Sequence, residues 1–147
     1  MKKQTLATQI MITGKKTHRC FDSFIAEKCT DLLRPDAGRI LGYLSMCQKA
    51  STQELQERFG LSKASLSECL TLLKDRGLID YRKSEADGRE KVVELTPLGA
   101  ARAEMFHQLV LSFNGKITEN LTDEEIKTLS QLLDKVQKQV EVMSYGE

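Results

Sequence analysis

The chain has 147 residues, no Trp, two Pro and a formal net charge of +1. This length suits one domain, or one domain with helical extensions, and can bury a proper core. A composition rich in Leu, Lys, Glu and Gln argues against an all-β fold, and four cysteines without a C-x-x-C pair, with His18 and His107 as the only histidines, argue against a zinc cage.

Charge is informative in its distribution and not in its sum. Residues 1–20 carry Lys2, Lys3, Lys15, Lys16 and Arg19 and no acid, whereas the tail from Glu104 carries eight acids against four lysines. Phosphate contacts need a local basic patch, so such a chain remains compatible with DNA binding; solvated termini give the same pattern. Neither a signal peptide nor a long apolar run is visible, which implies a cytoplasmic protein with reduced thiols and no membrane partner.

From about Leu6 to Leu33 the pattern is helical, with Phe21, Phe24, Ile25, Cys29 and Leu32 at three- and four-residue spacing. Gly14 weakens it near the start. Arg34-Pro35 breaks it, because the residue before proline avoids the helical region. Pro35 then suits the first turn of a short helix to about Gln48, with Ile40, Leu41, Leu44 and Cys47 as its buried stripe. Ser51-Thr52-Gln53-Glu54 is a capping box that opens a brief helix, which stops at Gly60. Ser62 is the N-cap of the next helix, so a helix, a glycine-containing turn and a second capped helix follow one another as a helix-turn-helix.

Residues 78–83 and 90–95 read as two strands joined by the polar turn Ser84 to Gly88. Thr96-Pro97 starts a helix through Met105, Leu109 and Phe113, and Asn114-Gly115 interrupts or kinks its pattern. A second capping box at Thr122 to Glu125 opens the last helix. There Ile126, Leu129, Leu133, Val136, Val140 and Met143 recur at spacings of 3, 4, 3, 4 and 3, the seam of a helix that packs on another helix. The fold class is therefore mainly α with a small β-hairpin: a winged helix-turn-helix with helices before and after it.

In the helix after Ser62, Leu66, Cys69, Leu70 and Leu73 form the core-facing stripe. The other face offers Lys63, Ser65, Ser67, Glu68 and Thr71, all able to hydrogen-bond to a DNA major groove. Lys63 suits a guanine edge or a phosphate, and Glu68 a cytosine amine. In the hairpin, Arg82, Lys83, Arg89 and Lys91 make a cationic tip suited to a minor groove, with Asp87 orienting Arg89. An ordinary amphipathic helix with a wet face, and a soluble hairpin whose Glu85 and Glu90 balance its cations, are the plainer readings of the same residues.

These residues resemble the MarR family of bacterial transcriptional regulators. The likeness rests on Leu61-Ser62-Lys63-Ala64-Ser65-Leu66-Ser67, on Lys74-Asp75-Arg76-Gly77-Leu78-Ile79, and on Asp87-Gly88-Arg89 eight residues before Leu95-Thr96 with Gly99 after. It implies a homodimer, with residues 1–33 and 97–147 as dimerisation helices and 35–96 as the winged helix-turn-helix. It further implies double-stranded DNA with a pseudo-palindromic operator as partner, and mostly repressor activity tuned by a small-molecule effector or an oxidant. Family members often carry arginine where this chain has Glu68 and a basic residue where it has Leu72, which lies off the apolar stripe. Both departures remove positive charge from the groove-facing helix.

Three other readings remain open. Loss of those charges suggests a winged-helix module that binds protein and little or no DNA. Cys20 and Cys29 lie in the first helix, where some relatives sense peroxide, so a thiol-based redox sensor is a second reading; burial as packing residues is the alternative for both. Cys47 and Cys69 fall on apolar stripes and read as core. An enzyme is the third, and no nucleophile elbow, phosphate loop or H-E-x-x-H motif supports it. No cofactor or metal site is expected.

Overall fold

A computed structural model describes residues 2–29, 34–83 and 91–145. Six helices and three strands run in the order α1 (Leu6–Lys28), α2 (Pro35–Cys47), β1 (Lys49–Ser51), α3 (Thr52–Phe59), α4 (Lys63–Asp75), β2 (Ile79–Lys83), β3 (Lys91–Leu95), α5 (Pro97–Ile117) and α6 (Asp123–Tyr145) among the described residues. The chain divides into two compact units, Met1–Leu111 and Ser112–Glu147.

In the first unit the three strands form an antiparallel sheet in the order β1-β3-β2. β2 and β3 pair from Ile79↔Leu95 to Lys83↔Lys91, and β1 pairs with β3 through Ala50↔Val93. This alternation sends Ile79 and Val93 into the core with Ala50. The hairpin forms where the sequence pattern places it, whereas β1 carries no such pattern. A three-residue strand is too short to show a period of two, and its pairing partner lies far away in the chain.

The core of this unit is built from Ile25 of α1, Ile40, Leu41 and Leu44 of α2, Leu55 of α3, Leu66, Cys69, Leu70 and Leu73 of α4, and Phe106 of α5, with the strand residues between them. α1 is tied to α2 by a polar network. Arg39 bonds to both Asp22 and Asp36, the latter at 2.6 Å, and its guanidinium lies 5.6 Å from the centre of the Phe21 ring. His18 Nε2 stands 3.5 Å from the same Asp22 carboxylate. The network is partly sheltered, so its multiple charge-assisted bonds count for more than an isolated surface pair.

Cys47 corrects an expectation, since it is exposed and not core. It occupies the last position of α2, and the chain turns there at Gln48, which has φ 67. The buried place falls to Ala50 of β1 instead. α1 ends at Lys28 with Cys29 as its C-cap, and the stretch expected to continue to Leu33 lies largely outside the described residues. α5 runs without interruption through Asn114-Gly115.

In the second unit, α6 begins as its capping box requires. Glu125 N–H donates to Thr122 Oγ1 at 3.1 Å, and Thr122 N–H donates to the Glu125 carboxylate at 3.2 Å. The apolar seam of α6 is largely solvent-facing in the single chain, with Leu129 47 %, Leu133 46 %, Val140 54 % and Met143 69 % exposed.

Candidate nucleic-acid interface

α4 is held rigidly by its own sequence. Gly60 ends α3 in the left-handed region at φ 61, where a side chain would be strained, and so turns the chain towards α4. Ser62 then caps α4, its Oγ accepting from Ser65 N–H at 3.1 Å. That single bond is worth about 1 kcal/mol. Leu66, Cys69, Leu70 and Leu73 are at most 4 % exposed and fix the helix against the core.

The opposite face is open. Lys63, Ser67, Glu68 and Thr71 are exposed, and a rigid helix carries them together outward. Ser65 is half-buried at the flank of that face, so it is placed less openly than its neighbours. Leu72, read from sequence as lying off the apolar stripe, packs partly buried against the core. It is therefore not an exposed apolar docking spot.

Glu68 forms an ion pair with Arg34, the N-cap residue of α2. Nothing in the sequence announces this pairing, because the partners lie 34 positions apart and Arg34 is marked there only as the residue before a proline. The negative charge that Cys69 carries once ionised at high pH, and then the hydrogen bond to Glu68, hold the Arg34 guanidinium above its ordinary range, so it stays charged at neutral pH. Burial pushes the Cys69 thiol up, with Arg34 opposing the shift, and the thiol remains protonated at neutral pH.

The base of the wing is tied to α4 through Tyr81. Lys74 Nζ lies 5.2 Å and Lys91 Nζ 5.7 Å from the centre of its ring, and Lys74 also reaches Asp80 at 3.2 Å. Burial, and then the charge of Asp75, raise the Tyr81 hydroxyl above its ordinary value, so the ring stays neutral. Arg82 pairs across the strands with Glu94 while remaining 57 % exposed in its side chain. Two of the expected wing cations thus already have contacts within the protein. Exposed pairs of this kind contribute roughly 0–1 kcal/mol. Asp87 and Arg89, and the side chain of Lys83, lie outside the described residues.

Of the two cysteines in the first helical region, Cys20 is exposed and Cys29 is buried at 6 %. Among the described residues no group of three or more His, Cys, Asp or Glu side chains could hold a metal ion. No described helix is long and apolar enough to cross a membrane.

Comparison with known proteins agrees with this geometry. The model of the MarR family matches residues 30–90. The multiple antibiotic resistance protein MarR of Escherichia coli K12 is 36% identical over 84 residues, which cover 56% of this chain and 58% of that protein. Its counterpart from Salmonella typhimurium is 34% identical over the same length. The chain thus aligns with little more than half the length of these curated relatives. Solved structures cover more. A cysteine-to-serine mutant of E. coli MarR superposes with a TM-score of 0.76 at 25% identity, over 93% of this chain and 99% of that one. A crystal structure of the same mutant complexed with operator DNA gives a TM-score of 0.70 at 26% identity, over 89% and 92% of the two chains. The chain is thus similar to MarR-family proteins over residues 30–90 and has the winged-helix fold of these solved structures.

Proposed function

We propose that the chain is a homodimeric, sequence-specific DNA-binding transcriptional repressor whose affinity for a pseudo-palindromic operator is modulated by a small-molecule effector. The observation that carries this reading is the outward face of α4, where Lys63, Ser67, Glu68 and Thr71 are exposed on a helix locked from behind. Early positions of such a helix meet base edges in the major groove. The similarity to a MarR structure solved with operator DNA supports the same partner.

Lys63, Ser65, Ser67, Glu68 and Thr71 are assigned to the major groove. Arg82, Lys83, Arg89 and Lys91 are assigned to the wing contact, with Asp87 orienting Arg89. The exposed seam of α6 supports the homodimer, because a lone helix leaves Leu129, Leu133 and Val140 in water; each such side chain gains roughly 1.5–3 kcal/mol when fully buried. Two-fold symmetry then places two equivalent recognition helices one DNA turn apart, about 34–36 Å. Residues 1–33 and 97–147 serve dimerisation and 35–96 serve DNA in this scheme. Similarity to a regulator solved with its natural ligand supports an effector.

The test is a titration of duplex DNA at several salt concentrations, with sedimentation to read the assembly. A dimer whose log affinity falls linearly with log salt is expected, the slope tracking the number of neutralised phosphates. A stable monomer, or no binding even in dilute buffer, would overturn the proposal.

A further inference from the structure

Glu68 poses a problem for any reading that takes α4 into a DNA groove. It is a carboxylate, 65% exposed in its side chain, on the face that carries Lys63, Ser67 and Thr71. Left alone it would repel the phosphates around it. Its partner does not come from α4. It is Arg34, from the start of α2 and 34 positions away in sequence, which donates from one guanidinium nitrogen to Glu68 Oε2.

We propose that Arg34 and Glu68 act as one composite reader, in which Arg34 is the positioning residue that neutralises Glu68 and aims its remaining carboxylate oxygen at a cytosine amine. The proposal rests on the DNA-binding reading above and adds a specificity determinant to it. Three features support it. A guanidinium has five donors in a fixed fork, and one bond to Glu68 leaves others for a neighbouring phosphate. A carboxylate accepts only, and in the major groove it suits the exocyclic amine of cytosine, because the adenine amine lies beside the N7 lone pair, which repels a carboxylate. Arg34 is also anchored: it is the N-cap of α2, beside Pro35, and its side chain is only 35% exposed. The pair is therefore presented from two elements of the same packed core, α2 and α4, and not from a loose surface chain.

The experiment uses the full chain and two probes, a mixed-sequence duplex and duplexes selected by the wild type from a randomised library. The variants are Arg34→Gln, Glu68→Gln, their double, and Arg34→Lys. Far-ultraviolet circular dichroism and thermal melting of each variant show that it is folded. Wild type should select cytosine at one symmetric pair of positions, and E68Q should shift that position towards adenine while leaving the others unchanged. R34Q should weaken binding to both probes by roughly tenfold with Glu68 present, and by no more than about threefold in the E68Q background, because no unneutralised carboxylate then enters the groove. R34K should keep affinity for the mixed duplex and lose the cytosine preference, since an ammonium supplies charge without the fork. Equal losses from R34Q in both backgrounds, with wild type still binding, would overturn the composite reader alone and leave Arg34 an independent phosphate contact. Absence of salt-dependent binding by wild type would overturn the DNA-binding reading and this inference together.

Discussion

The carbonyl oxygen of Leu78 occupies the space that a side chain on residue 99 would need: a Cβ added to Gly99 would lie 1.8 Å from it. The approach is pinned from both sides. Thr96 N–H donates to that same carbonyl at 3.1 Å, and Thr96 Oγ1 donates to the Gly77 carbonyl at 2.6 Å while accepting from Gly99 N–H at 3.0 Å. The Leu95-Thr96-x-x-Gly99 signature is thus a joint between the end of α4, the root of β2 and the first turn of α5.

Gly99→Ala should therefore force backbone apart and not merely shift a side chain. We expect a loss of roughly 3 kcal/mol or more, at the upper end of overpacking costs. Urea unfolding of the variant against wild type measures it, and a change under about 0.5 kcal/mol would show that the joint relaxes freely.

A second close approach joins α2 to α5. A Cβ on Gly38 would meet the Phe106 ring at 2.4 Å, and Phe106 is 3 % exposed, so the ring has little room to retreat. Gly38→Ala should cost about 1–3 kcal/mol. Phe106→Leu should cost less in the G38A background than alone, because the smaller side chain also removes the clash. Additive losses in the double variant would count against the contact.

The thiols divide by burial. Cys20 and Cys47 are exposed whereas Cys29 and Cys69 are buried, so iodoacetamide should label the first two in the native protein and the second two only after denaturation. Burial also raises the Cys69 thiol above its unfolded value. The folded state then holds that proton more tightly than the unfolded state. The resulting stability is fully present below the unfolded thiol value, about 8.5, and declines as pH rises above it. Tyr81, raised chiefly by burial, acts with the same sign at higher pH. Unfolding free energies between about pH 8 and 10 should fall less steeply for Cys69→Ala than for wild type; parallel slopes would rule out this linkage.

The local devices of this fold were legible because each is written in a few adjacent residues. The caps at Ser51, Ser62 and Thr122, the stop at Gly60 and the Thr96-Pro97 start all form as their chemistry requires. The core stripe of α4 was equally legible from its period. Long-range partnerships were not. Nothing local to Glu68 announces Arg34, nothing local to Asp22 announces Arg39, and Leu72 is partly buried only because it packs against the core. The exposure of Cys47 is the same lesson in reverse, since a helical stripe shows which face is apolar and not how far the neighbouring core extends along it.

Under the proposed function the wing and α4 would make different demands on DNA, and that difference can be measured. Arg89, oriented by Asp87 in the sequence reading, should act through charge in the minor groove. Arg89→Ala is expected to weaken binding across sequences and to lower the log–log salt slope by about 1. Lys63 and Ser67 stand on the exposed face of α4 near its capped start. Lys63→Ala and Ser67→Ala should change which bases are preferred at positions in each half-site, at about 1–3 kcal/mol of discrimination per good contact. Titration of each variant against operator and mixed-sequence duplexes separates the two effects: a wing residue shifts both probes alike, whereas a base-reading residue shifts the operator alone. Undiminished affinity of Arg89→Ala for both probes would remove the wing from the interface and leave α4 to supply the contacts unaided.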